Sequence, residues 1–158
     1  NVRDRGFAST APRMFIQDRN LGRYGREFQI ETLVHELAHA AQAGLSGPFI
    51  PSWVHEGTAD WLARGRPAGE RRRGGDAVLP RDFEFNTGSG PSIIQAYAEA
   101  RSAISVLHRT AGAAAPGGLM ADLGGVRIAP GDADYHTDAA LRRVAGLGVG
   151  DLQARWAG

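Results

Sequence analysis

At 158 residues the chain has the length of one domain, spanning 1–158, with enough surface to bury a core of its own. Its 18 basic residues, all arginine, stand against 17 acidic ones for a net charge of +1, so no lysine is present for Schiff-base chemistry and no broad basic face suits nucleic acid. The absence of cysteine excludes disulfides and thiolate metal sites, and no run approaches the ~18–20 apolar residues that a membrane helix needs.

The first residues, Asn1-Val2-Arg3-Asp4-Arg5, are charged and carry no signal-like segment. A start at Asn1 rather than Met reads as a processed product or a domain excised from a longer precursor. The wealth of Ala, Gly and Arg suits a GC-rich bacterial coding sequence, and a secreted or cell-surface location is the expectation carried forward. Arg13-Met14-Phe15-Ile16-Gln17 and Arg26-Glu27-Phe28-Gln29-Ile30 read as short strand or strand-to-helix segments.

A helix is predicted over 31–43, where Leu33, Val34, Leu37, Ala40 and Ala41 recur at spacings of three and four, with Gly44 and Gly47-Pro48 as its stop. It carries His35-Glu36-Leu37-Ala38-His39. Residues four apart stand one turn above each other on the same face, so both imidazoles can grip one metal ion. Glu36 can reach a water on that metal without being a ligand. Zinc with three protein ligands and an open position lowers the pKa of bound water to about 7, and a neighbouring carboxylate can then accept its proton. The bland alternative is a core helix with two incidental histidines, but a Glu between them on a buried face is costly unless paired or liganded.

A second helix is predicted over 53–64, with Ser52 as N-cap, Trp53, Ala59 and Leu62 as apolar members and Gly65 as terminator. Either His55 or Glu56 can supply the third ligand. Glu56 is favoured because Asp60 lies one turn beyond it, placed to accept the other ring N–H of His35 or His39, as carboxylates commonly do for metal-bound histidines. Gly57 removes a side chain beside the ligand and permits a close approach of the two metal-bearing helices. Zinc follows from the ligand types, although cobalt or manganese can occupy the same N/N/O set in vitro.

Arg71-Arg72-Arg73 then reads as a solvated loop. A third helix opens at Pro91-Ser92, repeats Ala100, Ala103, Ile104 and Leu107 on one face and closes at Gly112. His108 within it is read as structural or exposed. The segment 113–134 reads as a Gly-, Ala- and Pro-rich loop with a helical turn at Leu119–Leu123. Helices follow over 138–145, capped by Gly146, and over 149–156.

His35-Glu36-x-x-His39 followed by Glu56-x-x-x-Asp60 resembles the gluzincin zinc peptidases, the thermolysin-like clan. The likeness runs from about Phe15 to Trp156 and is specific only in the metal helices. Sixteen residues separate His39 from Glu56, slightly fewer than in well-known members. The metzincin pattern is absent, because Gln42 and Leu45 stand where it needs glycine and histidine. The resemblance implies ligands His35, His39 and Glu56, general base Glu36, and Asp60 behind the histidines. It also implies an oxyanion donor at Tyr97, with Tyr135-His136 as the rival pair. The implied fold is mainly α within an α+β scheme: a small N-terminal β-sheet, whose edge would hold extended peptide, precedes an active-site helix packed on a second ligand-bearing helix. The implied reaction is zinc-dependent hydrolysis of peptide or protein substrates. No Gly-x-Met-Glu-Asn segment is present to hold a free amine, so endopeptidase action is expected over aminopeptidase action. The alternatives are a catalytically silent zinc scaffold and a hydrolase of the same fold acting on modified or cell-wall peptides.

Overall fold

A computed structural model describes residues 22–47, 49–65, 77–87, 89–126 and 133–157, the side chains of 133–135 excepted. In chain order the described helices are α1 (Arg26–Gln42), α2 (Ser52–Arg64), α3 (Asp82–Asn86), α4 (Gly90–Ala111), α5 (Ala115–Gly124), α6 (Ala133–Ala145) and α7 (Val149–Ala157). No strand occurs among the described residues, and none of these helices is long and apolar enough to cross a membrane.

The expected small N-terminal β-sheet is therefore corrected. Residues 26–30 form the first turns of α1, where Gln29 N–H donates to Gly25 C=O at 3.1 Å and Thr32 Oγ1 donates to Phe28 C=O at 2.9 Å. Five residues of alternating character suit either period, and continuation of the helical hydrogen-bond ladder decides between them. The second expected strand, 13–17, and the arginine run 71–73 lie outside the described residues.

The core is organised by α4, which packs against α2, α3, α5, α6 and α7, whereas α1 leans on α2. Ala100, Ala103, Ile104 and Leu107, the predicted inner face of α4, are all completely buried, as are Val54, Leu119, Met120, Leu141 and Leu152. Trp156 closes the far side: its ring is buried and its Nε1–H donates to Ser102 Oγ at 2.9 Å, so the indole leaves no polar atom orphaned. The glycine stops behave as predicted. Gly65 and Gly112 take φ of 68° and 91°, in the left-handed region that a residue with a Cβ enters at a cost, and end α2 and α4.

Other local expectations are corrected by tertiary contacts. The first helical residue of α2 is Ser52 and its N-cap is Pro51; the Ser52 N–H is taken by Asp82 Oδ1 at 2.7 Å, an acceptor thirty residues downstream. In α1 the predicted apolar stripe is not the buried face: Val34 is 36 % and Leu37 56 % exposed, while Ala38 and Gln42 are the buried positions. The turn read inside the loop 113–134 is a full helix, α5, and α6 begins at Ala133, ahead of the predicted 138.

Gly57 does permit a close approach, but of α2 to α4. A Cβ there would lie 2.8 Å from the Ala100 carbonyl oxygen and 3.0 Å from the Ala100 Cβ. Backbone cannot yield as a flexible side chain can. Gly57→Ala is accordingly expected to destabilise the protein by ~1–3 kcal/mol, even though alanine gains about 1 kcal/mol of helix propensity, and urea denaturation would show a lower midpoint.

Candidate metal centre

His35 and His39 share one face of α1 because they are one helical turn apart, and that face is the one laid on α2. Their rings meet edge to face, with centroids 4.7 Å apart, and their Nε2 atoms are 3.0 Å from each other. From α2, Glu56 extends Oε2 to 3.2 Å from both nitrogens. These residues form a group able to hold a metal ion, the one such group among the described residues. Tetrahedral zinc with bonds of ~2.0–2.1 Å has ligand-to-ligand edges of roughly 3.3 Å. The triangle of 3.0, 3.2 and 3.2 Å fits that requirement closely.

Without a cation, two imidazole nitrogens and a carboxylate oxygen at such distances are acceptors turned on one another, so a proton must sit among them. Burial would lower the pKa of His35, but hydrogen bonding to Asp60 and Glu56 and their negative charges outweigh it, raising the group to about 9. Burial would raise Glu56, yet its hydrogen bonds to His35, His39 and His55 hold it well below the usual carboxylate range. A metal ion and a proton thus compete for the same atoms.

Two opposite pH trends follow. Charged His35 stabilises the metal-free fold fully below its unfolded value of 6.5, and that contribution is lost as pH rises through about 9. Chelator-treated protein should therefore lose stability between these limits in denaturation experiments. Metal affinity should move the other way, weakening by about tenfold per pH unit below the His35 pKa, because binding must expel that proton; metal titrations at several pH values check it.

Asp60, buried on α2, faces His35 rather than His39, with Oδ1 3.7 Å from His35 Nδ1. It does not serve the histidine alone. Arg64 Nε lies 2.8 Å from Oδ1 and Arg101 Nε 3.6 Å from Oδ2. Sequence reading missed both arginines. The Asp60–Arg64 pair was visible as an i,i+4 spacing, whereas Arg101 comes from α4 and had no local signal. Among the described residues, His39 Nδ1 is buried and has no hydrogen-bond partner.

His55 stays outside the donor triangle. Its ring stacks on His39 with centroids 4.3 Å apart, its Nδ1 is 3.7 Å from the other Glu56 oxygen, and its Nε2 is 3.4 Å from Ser46 Oγ. Glu36 is half-buried on α1, and no hydrogen bond to a described residue engages its carboxylate. Tyr97, from α4, lies against this group, its ring 5.9 Å from that of His35 and 5.2 Å from that of Phe85, which meets it edge-on. Burial first, then the charge and hydrogen bonding of Glu56, with smaller effects from Asp60 and Glu36, push its phenol far above the ordinary value. Tyr97 therefore keeps its proton and remains a donor. Of the rival pair, His136 lies on α6, which packs on α4, α5 and α7, and it is not a member of the metal group. The Tyr135 side chain lies outside the described residues. His108 is half-buried, its ring 4.8 Å from that of Trp61.

Beside the donors opens a cleft of about 530 Å³, reached from His35, Asp60 and Tyr97 and walled by Tyr24, Phe28, Ile93 and Ile94. No protein-family model, curated protein or solved structure matches the chain.

Proposed function

We propose that the protein is a zinc-dependent hydrolase of peptide bonds, a gluzincin in kind, with His35, His39 and Glu56 as metal ligands and Glu36 as general base. The single observation that carries this reading is the convergence of three donors on one point beside a carboxylate, that of Glu36, which is not a member of the triangle and is hydrogen-bonded to no described residue. A purely structural metal site has no use for such a base. When bound, zinc would acidify water and polarise a carbonyl.

The chain's own residues then divide the remaining tasks. His35 and His39 hold their Nε2 atoms neutral toward the metal, Glu56 supplies charge, and Asp60 steadies the His35 ring from behind. Glu36 takes the proton of the attacking water and delivers it to the leaving amine. Tyr97, kept protonated by its surroundings, donates to the oxygen that gains charge. In support of the substrate class, the cleft beside the donors is apolar enough for a side chain and open enough for a chain to enter.

The test is turnover of a mixed peptide library by protein loaded with zinc, with and without chelator. Cleavage that disappears with zinc removal and returns on its addition is the expected result. Intact peptides under all conditions, with zinc stoichiometrically bound, would instead support the silent scaffold. Tyr97→Phe should lower kcat by the ~10²–10³ typical of losing one oxyanion donor while leaving metal content unchanged. An equal rate would reassign Tyr97 to packing against Phe85.

A further inference from the structure

The cleft beside the metal group has apolar walls and one under-used cation. We propose that it is a recognition pocket for the C-terminal end of a peptide, seating an apolar last residue against Tyr24, Phe28, Ile93 and Ile94 and its carboxylate on Arg101. This deepens the peptidase reading above and rests on it for the reaction, though not for binding.

Two arginines line the cleft, and they are not equivalent. Arg64 is engaged twice, through Nε to Asp60 Oδ1 at 2.8 Å and through Nη1 to Glu31 Oε2 at 3.4 Å, and its guanidinium also lies 5.8 Å from the Phe28 ring centre. Among the described residues Arg101 has only Asp60 as an ionic partner, at 3.6 Å, which is beyond hydrogen-bond reach, and its buried Nε has no hydrogen-bond partner there. Asp60 is shared by His35, Arg64 and Arg101, so one carboxylate cannot satisfy three cationic or donor groups. The side chain of Arg101 is 20 % exposed. It is sheltered enough for a charged partner to be held strongly and open enough for that partner to arrive. A guanidinium offers a planar fork of N–H donors matched to a carboxylate. The ligand that complements apolar walls and one such fork has an apolar body and an anionic end.

The pocket's position selects the source of that anion. Because the cleft is also lined by His35 and Tyr97, a residue seated in it lies next to the bond presented to the metal group. A terminal carboxylate on that residue satisfies both features at once, whereas an acidic side chain would bring its charge without apolar contact. The enzyme would then trim peptides from the carboxyl end, in place of the internal cleavage expected from the sequence.

Binding of N-acetyl-phenylalanine, its amide, and N-acetyl-aspartic acid α-amide, measured calorimetrically on the full chain with and without zinc, tests the proposal. The free acid is expected to bind at least ~10-fold more tightly than its amide in both states, the gain of one charge-assisted pair. Arg101→Gln should remove that preference without weakening the amide. Ile94→Asp should also remove the preference by offering a competing anion, while weakening the amide as well because one apolar wall is lost; at a position 71 % exposed it leaves the core untouched. Equal binding of acid and amide, or a preference unchanged in both variants, overturns the proposal. So does a preference present only with zinc, which assigns the carboxylate to the metal, or tighter binding of the aspartyl amide, which assigns Arg101 to acidic side chains. None of these measurements requires turnover, so a failed peptidase reading and a failed pocket give different results.

Discussion

Glu56→Ala is expected to weaken metal binding by more than ~100-fold, beyond the 10–100-fold that loss of a mere supporting partner causes, while His55→Ala changes it by less than about tenfold. The contrast follows from geometry. Glu56 Oε2 closes the triangle at 3.2 Å from both histidine nitrogens, whereas His55 reaches only the opposite Glu56 oxygen, at 3.7 Å, and stacks on His39. Removing Glu56 leaves two imidazoles, one of which gains its high proton affinity partly from that carboxylate. Metal content after dialysis, with affinities from competition against a chromophoric chelator, would decide the matter. A larger loss in the His55 variant would reassign the third ligand.

The second large effect concerns Glu36. Glu36→Gln keeps the shape and exposure of the side chain but removes its capacity to accept a proton, so zinc affinity should stay within a few fold of wild type. Peptide turnover should fall by ~10²–10⁴, the range for a lost general base. No hydrogen bond to a described residue holds the Glu36 carboxylate, so the change leaves no buried partner orphaned and the fold should not suffer. Measuring kcat and metal content on the same preparation separates loss of the base from loss of the ion. Full activity in the Gln variant would require another proton acceptor and would sink the mechanism.

The two substitutions probe parts of the site that were legible to different degrees. His35, Glu36 and His39 needed only the helical repeat, because residues four apart must share a face wherever a helix forms. Glu56 needed a second helix and a guess about which of two adjacent side chains turns inward; its spacing from Asp60 resolved the guess in the direction the geometry supports. Tyr97 entered by resemblance, and its nearness to His35 and Glu56 is a result of how α4 lies on α2. The strand or strand-to-helix reading of 26–30 shows the limit of reading short segments: Phe28 and Ile30 alternate with polar neighbours, yet they continue the hydrogen-bond ladder of α1.

What the sequence by itself determined is the arrangement within single helices: the pairing of two imidazoles, the carboxylate beside them, the glycine terminators and the buried face of α4. These depend on interactions between residues three to five apart, which the local repeat dictates. Only the tertiary structure decided that Gly57 admits α4 rather than α1, that Asp82 caps α2 from thirty residues away, and that Asp60 is divided among His35, Arg64 and Arg101. Each of those outcomes turns on which helix faces are pressed together. That choice reflects apolar burial summed over the whole core, to which no short stretch of chain holds the key.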